Sequence, residues 1–204
     1  MSDVALKATY RRFLNDTHVE LQHQVAEHEH DVTTTRSFVC GLVPGLLQTP
    51  EYAAGVFERM AALMKYGAQG TGPEAVVARM NRQRVLDDER KQFDYLIPEA
   101  ALYVPVCTLE AMRAQLDHLI ATLNRPNVRL GIIPLNAQVE LVPFHGFTIA
   151  DDKLVLIEMF TGQLTLTSDD DIRLHQDAFE RLASSALYDE EARSLLAAAQ
   201  AGFS

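Results

Sequence analysis

Residues 93 to 134 constrain this fold more than any other stretch. F-D-Y-L-I, residues 93 to 97, reads as a strand, and Pro98-Glu99 with Ala100 to Tyr103 makes a short turn after it. Thr108 can cap a helix that carries Met112, Leu116, Leu119, Ile120 and Leu123 at helical spacing, and Arg125-Pro126-Asn127 ends it. V-R-L-G-I-I-P, residues 128 to 134, then reads as a buried strand. A strand–helix–strand unit favours parallel pairing, with the helix crossing one face of the sheet.

The rest of the chain adds to that unit. Residues 144 to 150, residues 154 to 160 and Q-L-T-L-T read as three strands joined by turns at Asp151-Asp152 and Thr161-Gly162, an antiparallel meander. Ser168 or Asp169 caps a helix over 170–186, and Asp189 starts a last one. Upstream, residues 3 to 30 read as one helix with Tyr10, Phe13, Leu14, Thr17, Leu21 and Val25 on one face. Residues 31 to 36 form a break or a short strand. Pro44-Gly45 breaks the chain, Leu46 and Leu47 return to a core, and Thr49-Pro50-Glu51 starts a helix that runs to Tyr66. A Gly-rich loop over 67–73 leads to a further helix that ends near Asp88. The expected fold is α/β, with α+β the alternative: a small mixed sheet with packed helices. A helical arm over 1–37 precedes a domain over 38–204.

Composition narrows the function. The net charge of −10 argues against direct nucleic-acid binding, which depends on Lys and Arg neutralising phosphates. No apolar run approaches the roughly 20 residues of a membrane span, and the N-terminus has no signal-peptide core, so a cytoplasmic location is expected. Cys40 and Cys107 have neither disulfide-framework nor zinc spacing, and read as small buried thiols. His23, Glu27 and His30 share a helical face at a spacing that could seat a metal, but a solvated polar face is the preferred reading. Nucleophile-elbow, dinucleotide and phosphate-loop motifs are absent, and no cofactor is expected.

V-P-G-L-L-Q-T-P-E-Y-A at residues 43–53 resembles the hallmark of a domain of unknown function that follows an Xre-type helix-turn-helix in actinobacterial regulators, the WhiJ type among them. The resemblance continues in order through Arg79, Arg82, Gln83 and Leu86, Glu99-Ala100-Ala101-Leu102, Q-L-x-x-L from Gln115, the strand over 128–134, Gly146-Phe147 and Glu158. It spans about residues 40 to 200. The 136–143 loop departs from it, being apolar and without the usual glycines. Relatives place their DNA-binding half before residue 43, where this chain has only its arm, so a stand-alone copy is expected.

Arg79, Arg82 and Gln83 lie on one helical face, where guanidinium and amide groups could bind a ligand's carboxylate, phosphate or carbonyl. The alternative is that they tie their helix to backbone carbonyls or to Glu99. Glu99, Tyr103 and Phe147 complete the candidate ligand-binding set. Glu158 sits inside an apolar strand with Leu154 and Leu156, so an inward position with a cationic partner is expected. His145 is a candidate general base beside it. Three functions follow. The resemblance implies a regulatory domain that senses a small molecule or a partner. A cofactor-free isomerase, cyclase or lyase using His145 and Glu158 is the second, and a protein that heterodimerises with a full-length regulator is the third. The arm can also pair two copies of the chain.

Overall fold

The computed structural model describes residues 8–12, 18–63, 72–160 and 162–203. In chain order the elements are β1 (Ala8–Arg12), α1 (His18–Asp31), β2 (Thr34–Phe38), α2 (Pro50–Leu63), α3 (Pro73–Arg82), β3 (Gln92–Pro98), α4 (Leu109–Thr122), β4 (Val128–Ile133), β5 (Phe147–Ala150), β6 (Leu154–Met159), β7 (Gly162–Leu166), α5 (Asp169–Ala183) and α6 (Asp189–Ala201). Short 3-10 turns occupy Gly45–Leu47, Gln83–Asp87 and Glu99–Tyr103. The fold is mixed α/β.

The strands form one seven-stranded sheet in the order β1-β7-β6-β5-β2-β3-β4. β3 and β4 pair in parallel across α4, as their spacing predicts, and β5, β6 and β7 form the antiparallel meander. β2 joins the two halves, parallel to β3 and antiparallel to β5. Alternation divides the core. Phe93, Tyr95, Ile97, Val128, Leu130 and Ile132 face α4 and α6. Phe38, Leu96, Phe147, Ile149 and Val155 face Ile172, Phe179 and Leu182 of α5. The β4 edge is closed by reciprocal backbone hydrogen bonds between Ile132 and Leu187, at 2.9 and 2.8 Å.

The N-terminal expectation is corrected. Residues 8–12 form a strand, antiparallel to β7, and the described helix spans His18–Asp31. The expected boundary at residue 37 falls inside β2, a central strand. The sheet therefore incorporates the supposed arm. α1 packs on α3, and the buried ammonium of Lys91 closes its end by donating to the carbonyls of Glu29 (3.0 Å), His30 (2.7 Å) and Val32 (2.5 Å). The expected 67–73 loop lies outside the described residues, except for Gly72 and Pro73.

The turn between β5 and β6 ties the two halves of the chain together. Asp151 and Asp152 have φ of 48° and 55°, a region that Asp tolerates better than most residues. The Asp151 carboxylate accepts from the backbone N–H of Thr33 and Thr34, both at 2.9 Å, and from both hydroxyls, at 2.8 and 3.3 Å. Burial pushes this carboxyl up, but the hydrogen bonds outweigh it and hold it down at about 2. A depressed folded value means that the contribution is complete above the ordinary 3.8 and is lost as pH falls toward 2. Asp151→Asn is expected to lose about 1–2 kcal/mol at pH 6, with allowance for solvent screening, and less at pH 3. Urea melts of both proteins at the two pH values measure the difference.

Candidate functional site

The signature residues form a hydrogen-bonded hub around Gly45–Leu47. Leu46 and Leu47 are buried, and Thr49 caps α2 by accepting from the Tyr52 N–H at 3.3 Å. Gln48 donates to the Val43 carbonyl at 2.8 Å, and the Val43 N–H donates to the Tyr52 hydroxyl at 3.2 Å. Gln83 donates to the carbonyls of Gly45 (3.1 Å) and Gln48 (2.7 Å). From α4, the buried Gln115 accepts from the Thr49 N–H at 2.7 Å and donates to the Leu47 carbonyl at 2.7 Å. The two arginines stand beside the same turn. Arg79 donates to Gln22 (2.6 Å) and Gln48 (2.9 Å), and Arg82 donates to Gln22 (2.7 Å) and pairs with Glu29 (2.8 Å). A side chain at Gly45 would lie 3.0 Å from Arg79 Cζ and 3.1 Å from Arg82 Nη2, so glycine makes room for the guanidinium groups. Burial, then the neighbouring Arg82, holds Arg79 down at about 9, still charged at neutral pH. Burial raises Glu29 although Arg82 and Arg79 oppose it.

The six candidate ligand-binding residues therefore fall into three groups. Arg79, Arg82 and Gln83 bond to protein groups in the hub, which is their structural reading, with Gln22 and Glu29 in the place expected of Glu99. Glu99 accepts instead from the Leu135 N–H at 2.9 Å and from the Tyr103 hydroxyl at 3.5 Å. Tyr103 stacks on Phe203, with centroids 6.5 Å apart. Phe147 is buried under α5, with its ring centroid 5.0 Å from that of His175.

The candidate acid–base pair is split. His145 is exposed, with its ring 5.9 Å from that of His175, on the α5 side of the sheet. Glu158 is exposed and shares its face with Leu154 and Leu156, the face opposite α5, where it is within electrostatic range of Glu29 and Arg79. The expectation that Glu158 points into the core is corrected: Val155 and Ile157 are the residues of β6 that pack against α5. Cys40 is also corrected. It lies exposed in the bend after β2, and Cys107 is half-buried. Among the described residues no group of three or more His, Cys, Asp and Glu side chains could hold a metal, and the Glu27 side chain lies outside them.

Sequence reasoning missed a surface. The 134–146 segment runs beside α5. Ala137 and Leu141 pack into the α5 core, Ser185 donates to the Gln138 carbonyl at 3.4 Å, and Glu140 lies 3.7 Å from Arg181. Leu174 is exposed on α5 next to His175, whose ring lies 5.9 Å from that of His145. Seven large apolar side chains are exposed here: Phe144 at 96%, Phe160 at 70%, Leu135 at 69%, Val142 at 68%, Leu174 at 65%, and, less fully, Met159 and Val139. Register brings the approach to β5 alongside the β6–β7 turn that carries Phe160. The only signal in the sequence was the apolar character of the 136–143 loop.

Fold and hub define a mixed α/β domain whose signature residues hold its own architecture. The sequence profile of a domain of unknown function (DUF5753) matches residues 22–198, and the chain belongs to that family. No curated protein matches it. Among solved structures it is similar to a phospholipase D family member, Nuc from Salmonella typhimurium, at 10% identity over 91% of this chain and 97% of that one, TM-score 0.46. NucT from Helicobacter pylori gives 10% identity over 89% and 97%, TM-score 0.46. TrmBL2, an archaeal chromatin protein, gives 8% identity over 91% of this chain and TM-score 0.43, and the chain spans 54% of that protein. Among the described residues no helix is long and apolar enough to cross a membrane.

Proposed function

We propose that this chain is a partner-sensing regulatory domain that docks a basic, amphipathic segment of another protein on the strip between the 134–146 segment and α5. The exposed apolar strip carries this reading. Contiguous exposed apolar surface marks interaction sites, and exposed aromatics make effective anchors. The segments 135–145 and 169–181 hold six carboxylates against two arginines, a net of −4 with histidines neutral. A second copy would bring the same acidic rim against itself, so a basic partner is favoured. A helix-turn-helix domain fits that chemistry, because it must be basic to neutralise phosphates. The partner is then a full-length regulator of the same family, bound through its DNA-binding half. The enzyme reading loses support because its two candidate groups stand on opposite faces of the sheet.

Calorimetric titration with such a regulator tests the proposal. Binding is expected to weaken with added salt, and Phe144→Glu is expected to reduce it by about 30-fold or more, equivalent to an anchor of about 2 kcal/mol. Because Phe144 is 96% exposed, the variant should unfold at the wild-type urea concentration. Undiminished binding by this folded variant would refute the docking site.

A further inference from the structure

A separate cleft of about 200 Å³ lies between α4 and the junction of α3 with its 3-10 extension. Leu46 of the signature turn and Leu86, both buried, contribute to its lining. Arg84, His118 and Arg125 also line it, with Asp87 as the one carboxylate. Arg125 donates to the Asp87 carboxylate and, at 3.4 Å, to the Leu86 carbonyl. Arg84 makes no ion pair or hydrogen bond among the described residues. Burial and then the charge of Arg125 lower the His118 imidazole, so that guanidinium acts on the ring. Two arginines and an imidazole thus converge on a concave surface in a chain of net charge −10.

We propose that this cleft binds a small oxyanion, a phosphate or carboxylate group on a compact polar molecule, held between Arg84, His118 and Arg125. Guanidinium groups bind such oxyanions through charge-assisted hydrogen bonds, and the Asp87 contact fixes the direction of Arg125. At about 200 Å³ the space is below the roughly 300 Å³ at which drug-sized ligand pockets begin, so the ligand is small. Its floor includes the turn that Gln48, Gln83 and Gln115 hold, so occupancy acts directly on the hub. The site is independent of the docking strip, and its failure would leave that proposal untouched.

The test is an NMR titration of the His118 ring resonance with inorganic phosphate and, separately, with citrate, at constant ionic strength and pH 7. A saturable shift at millimolar concentrations is expected, together with a rise in the titration midpoint of His118. The anion that saturates at lower concentration distinguishes phosphate from carboxylate chemistry. Arg125→Gln and Arg84→Gln are each expected to weaken binding about tenfold. Arg84 is exposed and outside the hydrogen-bonded hub, so its variant keeps the test valid if the loss of the Arg125–Asp87 pair unfolds the protein. A linear drift with both anions, or a saturable shift that Arg84→Gln leaves unchanged, would overturn the assignment.

Discussion

Arg82→Met is expected to destabilise the protein by about 3–4 kcal/mol at pH 8, read as a lower urea midpoint. The pair with Glu29 is nearly closed to solvent, the side chains being 11% and 17% exposed. Methionine restores most of the volume but leaves the carboxylate buried without its partner. It also removes a donor to Gln22, whose oxygen then keeps only Arg79. The pH dependence has a defined sign. Burial already raises Glu29 above its ordinary 4.5, and losing Arg82 raises it further. The native variant then binds a proton that the unfolded chain has released, so its stability falls as pH rises above that ordinary value. The deficit relative to wild type should therefore be smaller at pH 5 than at pH 8. Equal deficits at both values would mean that Glu29 does not become an uncompensated charge.

Gly55→Ala is the second large effect, at about 3 kcal/mol. Helix propensity alone predicts the opposite sign, since alanine in a helix interior is favoured over glycine by about 1 kcal/mol. Here α2 lies directly against the 104–107 segment. A Cβ at residue 55 would overlap the Val106 carbonyl oxygen and stand 2.9 Å from its carbon. These atoms are backbone and cannot rotate away. Arg59 holds them in place, donating to the carbonyls of Gly55 (3.2 Å), Pro105 (3.2 Å) and Val106. Either α2 or the segment must move, and overpacking of this kind costs about 1–3 kcal/mol or more. A thermal melt decides the sign: a raised midpoint would show that propensity outweighs contact.

Local pattern revealed most of the sheet. Parallel pairing of β3 and β4 and the β5–β7 meander follow from apolar runs, turns and caps, and Thr49, Thr108 and Ser168 cap the helices expected of them. The apolar residues of the N-terminus fit helical spacing, but pairing with β7 decides the outcome at 8–12. Both faces of β6 are apolar, Leu154 and Leu156 on one and Val155 and Ile157 on the other, so alternation alone does not choose the buried face or the side of Glu158. Arg79, Arg82 and Gln83 were visible as a group. Their partner Gln22 is 57 residues from Arg79, a separation that no local pattern encodes. The strip was hidden for a similar reason, since loop residues and one stripe of α5 converge only in the folded chain.

The docking claim is tested most directly by a hydrogen-exchange footprint of this protein bound to a full-length helix-turn-helix regulator of its family. Amides of 135–146 and 169–176 should gain protection on binding, while α1 and α3 are unchanged. Protection confined to α1 and α3, with 135–146 exchanging as in the unbound protein, would contradict the account.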